Sequence, residues 1–217
     1  MHTLQVDIPV DYVNLGGILE IPDGARAVVV FVHGSGSSRF SPRNRQVAAG
    51  LQRAGFATLL FDLLTAEEQR HDNVDATYRF NIALLARRLG ATLGWLRERA
   101  DVGALPVGLF GASTGAAAAL VAAAEMATVG AIVSRGGRPD LARADLALVR
   151  APTLLIVGGL DTEVIRLNEK AAAQLSCEHR IEIVPGATHL FEEPGALEEV
   201  TRLAAGWFGR WLGAASS

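Results

Sequence analysis

Six short apolar runs, each giving way to a polar or glycine-rich loop, set the organisation of the chain: "AVVVFVHGSGSS", "FATLLFDLL", "PVGLFG", "VGAIVSRGG", "PTLLIVGG" and "RIEIVPG". Between or after them lie helical stretches around residues 44–54, 77–99, 114–126, 141–149, 164–175 and 196–212. Apolar strands this short, without a polar alternation, have both faces buried. A helix between two of them returns the second strand parallel to the first, by a right-handed crossover. The pattern therefore predicts an α/β chain with a mostly parallel sheet covered by helices on both sides. Two more strands, residues 4–10 and 14–21, precede these runs and bring the count to eight.

A length of 217 residues suits a single domain spanning 1–217. Hydrophobic residues make up 50% and charged residues 20%, which argues against a disordered chain. The net charge of -3 and a pI near 6.0 supply no basic footprint, so neither nucleic acid nor an anionic membrane is expected as a partner. The opening "MHTLQVDIPVDY" has no leader pattern, and the uncharged stretch 102–124 is broken by Pro106 and glycines. A cytoplasmic location follows as the expectation, with a homodimer allowed for. The single cysteine, Cys177, excludes an internal disulfide and a cysteine-built zinc site. Scattered histidines argue against a metal, and "HGSGSS" lacks the lysine of a phosphate-binding loop, so no cofactor is expected.

In "GLFGASTGAAAAL", Ser113 stands between Gly111 and Gly115 where a strand meets an alanine-rich helix. Serine there can cap the helix. It can also be a nucleophile raised on a tight strand-to-helix turn, where glycines make room and the helix end faces developing negative charge. A serine nucleophile needs a base and an acid behind it. His189, in the loop after the last strand, is the candidate base, and Asp161, after "TLLIVGG", the candidate acid with Glu163 in reserve. Loops at the C-terminal strand ends share one edge of a parallel sheet, so these residues can converge. His2, His71 and His179 read as surface residues. His33 reads as a loop brace and Asp62 as a brace or rim residue.

The order Ser113, Asp161, His189 and the segments "GGILEIP", "VVVFVHGSGSS", "GLFGASTGAAAAL", "APTLLIVGGLDTEV" and "PGATHLFEEPG" resemble an α/β-hydrolase of the dienelactone hydrolase-like branch over nearly the whole chain. The resemblance implies an α/β-hydrolase fold and the catalytic set Ser113, Asp161, His189. Dienelactone hydrolases proper carry cysteine where position 113 is serine, so it implies a general serine esterase. Stabilising the oxyanion needs aimed donors. The backbone N–H of Thr114 is expected as one, and the "HGSGSS" loop as the other, with Ser35 first and Gly36 next.

Arg39 and Arg43 follow that loop and are candidates for a substrate anion or for surface ion pairs with carboxylates such as Asp62. Arg135 is placed to brace the same side. Phe40, Tyr78 and Phe191 are candidate apolar walls, with ordinary packing an equal reading for each. Residues 65–76 are expected as a loop at the site's mouth, leaving no large cap domain and an open pocket. The expected activity is hydrolysis of small or short-acyl carboxylic esters, with a small-molecule ester as partner. A thioesterase, acyltransferase or amidase with the same three residues, or a non-catalytic ligand-binding fold, is the alternative.

Overall fold

The computed structural model of the protein describes residues 1–213. A hairpin opens the chain. β1 (His2–Val10) and β2 (Val13–Ile21) pair antiparallel around Asp11 and Tyr12, and Asp11 takes a positive φ of 50° suited to a tight turn. The remaining strands are β3 (Val28–Val32), β4 (Ala57–Phe61), β5 (Val107–Ala112), β6 (Val129–Arg135), β7 (Thr153–Gly158) and β8 (His179–Val184). All eight join one sheet in the order β1-β2-β4-β3-β5-β6-β7-β8. β2 meets β4 antiparallel, and every pairing from β4 across to β8 is parallel. The expected eight-stranded, mostly parallel sheet is what forms.

β3 shows why its sequence has no polar alternation. Val28, Val30 and Val32 enter one core, while Val29 and Phe31 enter the other. The second core is closed by α1 (Pro42–Arg53) and α6 (Ala196–Leu212), the latter through the stripe Val200, Ala204 and Phe208. The first is closed by α3 (Ile82–Arg97), α4 (Thr114–Glu125) and α5 (Thr162–Ala172). Each large apolar side chain fully buried in these layers contributes roughly 1.5–3 kcal/mol. α1 starts where Ser41 accepts the Asn44 N–H and Pro42 fills the first helical turn.

The start of α4 packs tightly against the sheet because small residues stand there. A Cβ on Gly111 would lie 2.5 Å from the Ala116 Cα, and one on Gly115 would lie 2.1 Å from the Val32 carbonyl oxygen. Any side chain at either position would force the strand end and the helix apart.

The stretch expected as a loop over 65–76 is instead a helix, α2 (Ala66–Asp75). Thr65 and Glu68 form a capping box at its start. Glu68 then accepts from both Arg88 terminal nitrogens, at 2.6 and 2.7 Å. Asp72, fully buried, accepts the backbone N–H groups of Tyr78 and Arg79 and the Arg79 guanidinium. Ion pairs and caps, not an apolar face, hold this helix. α3 accordingly begins at Ile82, later than the expected 77, with Asn81 as its cap. The helical stretch expected over 141–149 is a 3-10 segment, Pro139–Leu148, kinked at Arg143. Among the described residues, no helix is long and apolar enough to cross a membrane.

Candidate active site

Ser113 stands at the β5–α4 junction with φ 51° and ψ -124°, a conformation that a non-glycine residue holds at a cost of about 1–3 kcal/mol. Its carbonyl accepts the N–H groups of Ala116 at 3.1 Å and Arg138 at 3.0 Å, which fixes the turn. Its side chain makes no capping bond to α4. The helix-cap reading therefore fails, and the partly exposed hydroxyl faces a cleft.

Asp161 lies just past β7 at the start of α5, where its side chain also makes no capping bond. Its Oδ2 instead accepts the His189 Nδ1–H at 2.6 Å. A carboxylate only accepts, so this bond assigns the proton to Nδ1 and leaves the Nε2 lone pair free for a proton. His189 sits in the loop between β8 and α6, and lines the same cleft of ≈ 270 Å³ as Ser113. Among the described residues, no hydrogen bond joins the Ser113 hydroxyl to His189. Such contacts commonly tighten only with substrate bound.

The loop after β3 is anchored from below by His33. Its Nδ1–H donates to the Gly34 carbonyl at 3.0 Å, and its Nε2 accepts the Leu63 N–H at 3.0 Å. Burial pushes the His33 pKa down, so the ring stays neutral and keeps that acceptor. The expected bracing role is the observed one. The Ser35 backbone N–H, expected as an oxyanion donor, donates to the Thr114 hydroxyl at 3.0 Å. Gly36 is not among the residues lining the Ser113 cleft; it lines an adjoining small pocket of ≈ 10 Å³ with Ser35, Thr114 and Leu63.

The pocket expectations are largely corrected. Arg39 gives both its backbone N–H and its guanidinium to Asp62, the ion pair weighed as its alternative role. Phe40 is 53% exposed under that guanidinium and borders a separate groove with Asp62 and Thr65. Tyr78 is partly buried and packs against the core. Phe191 is 1% exposed: its left-handed backbone, φ 56°, goes with a ring in the core, and its neighbour Leu190 lines the cleft. Of the five candidates only Arg43 borders Ser113, while also donating to Glu192 at 2.8 Å. Asn44 and Ser41 complete that wall, and Arg135 reaches into the cleft. The strand-end position of Arg135 was its only sequence signal. Asn44 and Ser41 had none beyond lying next to Arg43.

Among the described residues, no group of three or more histidine, cysteine or acidic side chains is placed to hold a metal ion. The arrangement instead supplies a hydroxyl on a strained turn, an imidazole fixed by a carboxylate, and backbone donors at a helix start. These are the parts acyl transfer needs.

Two Mycobacterium tuberculosis proteins, from strains CDC 1551 and H37Rv and named provisionally as phosphoribosyl transferases, are each 57% identical to this chain over 206 residues. The match covers 94% of the chain but 45% of either relative, so the chain spans about half the length of the curated relatives it matches. A crystal structure of a dienelactone hydrolase from Anabaena variabilis superposes with a TM-score of 0.95 at 57% identity, covering 97% of this chain and 98% of that one. Est1E from Butyrivibrio proteoclasticus shares the fold, with a TM-score of 0.78 at 17% identity over 95% of this chain and 98% of its own. The model of the Dienelactone hydrolase family matches residues 15–207, and with these likenesses it shows that the chain belongs to that family.

Proposed function

We propose that this protein, whose family and esterase-like neighbours support a hydrolase, cleaves small or short-acyl carboxylic esters through an acyl-enzyme on Ser113. The observation carrying the reading is the 2.6 Å bond by which Asp161 holds His189, which lines the cleft that Ser113 faces. His189 Nε2 takes the hydroxyl proton as Ser113 Oγ attacks the acyl carbon. Asp161 holds the ring and stabilises its charged form. The same proton passes to the departing alkoxide oxygen, releasing the alcohol. Water, deprotonated by His189, then attacks the acyl carbon, and the acid leaves as the proton returns to Ser113.

The tetrahedral oxygen receives the Thr114 N–H, at the positive end of α4, and the Ser35 N–H once the Thr114 hydroxyl rotates off it. The transferase name of the M. tuberculosis relatives belongs to proteins about twice this length and does not enter these steps. The test is turnover of a short p-nitrophenyl ester, a matched thioester and a matched anilide by the native protein and by Ser113→Ala. Ester turnover abolished in the variant supports the proposal. Undiminished ester turnover in the variant, or thioester turnover without ester turnover in the native protein, overturns it.

A further inference from the structure

The cleft beside Ser113 carries more positive charge than ester hydrolysis needs. Arg135 ends β6 in register with Ala112, the residue before Ser113, and the Ser113 N–H donates to the Arg135 carbonyl at 3.4 Å. Arg135 and Ser113 line the same cleft. Arg135 is 8% exposed, and its Nε and Nη1 are buried without hydrogen-bond partners among the described residues. A buried guanidinium left without a carboxylate is unusual, because desolvating a charge is expensive.

A second guanidinium faces the same space. Arg43 borders the cleft, and among the described residues its buried Nε has no partner while its Nη1 donates to the exposed Glu192. Burial and the neighbouring Arg43 charge push the Arg135 pKa down to about 10, which still leaves it charged at neutral pH. The two like charges thus oppose each other across a cleft that a negative group would fill. α1 adds to this, because its N-terminus opens on the cleft through Ser41, Arg43 and Asn44. Pro42 has no N–H, the Asn44 N–H goes to the Ser41 hydroxyl, and the Arg45 N–H goes to the Ser41 carbonyl. The Arg43 N–H is the one left at that helix start among the described residues, where a helix favours an anion.

We propose that this cleft is a phosphate-class anion subsite, and that the natural substrate is a compact ester whose acyl or alcohol part carries a phosphate monoester seated on Arg135, Arg43 and the α1 N-terminus. Donors arriving from two elements, β6 and α1, suit a tetrahedral dianion better than a flat carboxylate, which one guanidinium fork already satisfies. The ≈ 270 Å³ cleft holds both this subsite and Ser113, so anion and ester belong to one small molecule. For its substrate the proposal rests on the serine-ester reading above. For its binding site it does not.

The test is calorimetric titration of the native protein with inorganic phosphate, beside sodium acetate, followed by Arg135→Gln, Arg135→Lys and Arg43→Gln. Phosphate should bind one per chain and more tightly than acetate. Arg135→Gln should weaken it about tenfold or more, with Arg135→Lys intermediate. Arg135→Gln loses an unpaired buried charge, so its melting temperature should equal or exceed that of the native protein. Arg43→Gln, nearer the rim, carries the same test if that variant does not fold. No saturable phosphate binding, tighter acetate binding, or an unchanged affinity in both Arg135→Gln and Arg43→Gln overturns the proposal. Because titration requires no turnover, Arg135-dependent phosphate binding without ester hydrolysis would sink the serine-ester reading and leave the anion site standing.

Discussion

Replacing Gly115 by alanine tests the packing that holds the site together. The added Cβ would sit 2.1 Å from the Val32 carbonyl oxygen, 2.5 Å from that of His33 and 2.7 Å from the Val32 carbonyl carbon. Carbon and oxygen approach no closer than about 3.3 Å even in favourable contacts, so helix and loop must separate by about 1 Å. All three neighbours are backbone, and no flexible side chain can yield. Overpacking of this kind destabilises by about 1–3 kcal/mol, partly offset by the better helix propensity of alanine. The same shift moves the loop bearing Ser35 away from Ser113, and a misplacement of about 1 Å can lower turnover about 100-fold. Gly206→Ala is the matched control. Its Cβ meets nothing within 4 Å on the exposed face of α6, so it should stabilise by about 0.5–1 kcal/mol and leave turnover intact. Urea unfolding of both variants, with ester turnover measured alongside, decides the matter. A Gly115→Ala protein with the native unfolding midpoint and native turnover would refute the close approach on which the elbow depends.

Asp161→Asn should keep the fold and lower ester kcat by about 10³–10⁴, because the amide can present an N–H to Nδ1 and select the wrong tautomer; steady-state kinetics check this. Burial holds the folded pKa of His33 below its ordinary 6.5, so the unfolded chain binds the proton more readily. The stability it contributes is complete above pH 6.5 and is lost as pH falls towards the folded value. Urea midpoints should decline over that window in the native protein and decline less in His33→Gln. Glu68 shows the acidic counterpart: hydrogen bonds from Arg88 hold its pKa below 4.5, so its stabilisation is present above pH 4.5 and fades as pH drops through the folded value. Glu68→Gln should destabilise by about 1–3 kcal/mol at neutral pH, measured by urea unfolding, and the gap to the native protein should narrow in acid.

What could be read in the sequence follows from where side chains must be apolar. A strand such as β3 is buried on both faces, so composition alone marks it, and the succession of such runs gave the parallel sheet. The site's frame was equally legible, since Gly111 and Gly115 leave no room for side chains and Asp161 and His189 follow adjacent strands. α2 was not, because its single buried residue is Asp72 and its stability lies in a capping box and ion pairs that make no apolar period. Tyr78 and Phe191 failed as pocket walls for a related reason. Outside regular elements no periodicity fixes where a ring points, and at Phe191 the backbone is left-handed with the ring in the core. Arg135 was placed beside the site by its strand end, but its lack of a partner was not legible, because that is a property of the folded neighbourhood and not of the segment "VSRGG".

The central claim is that Ser113 is the nucleophile, activated by an imidazole that Asp161 holds in place. Treatment of the folded protein with a fluorophosphonate, followed by intact mass and peptide mapping, reads that claim at a single atom. The account predicts one adduct per chain, located on Ser113, absent from Ser113→Ala and formed far more slowly in His189→Ala. An unmodified native protein, or an adduct mapped to any other residue, would contradict it.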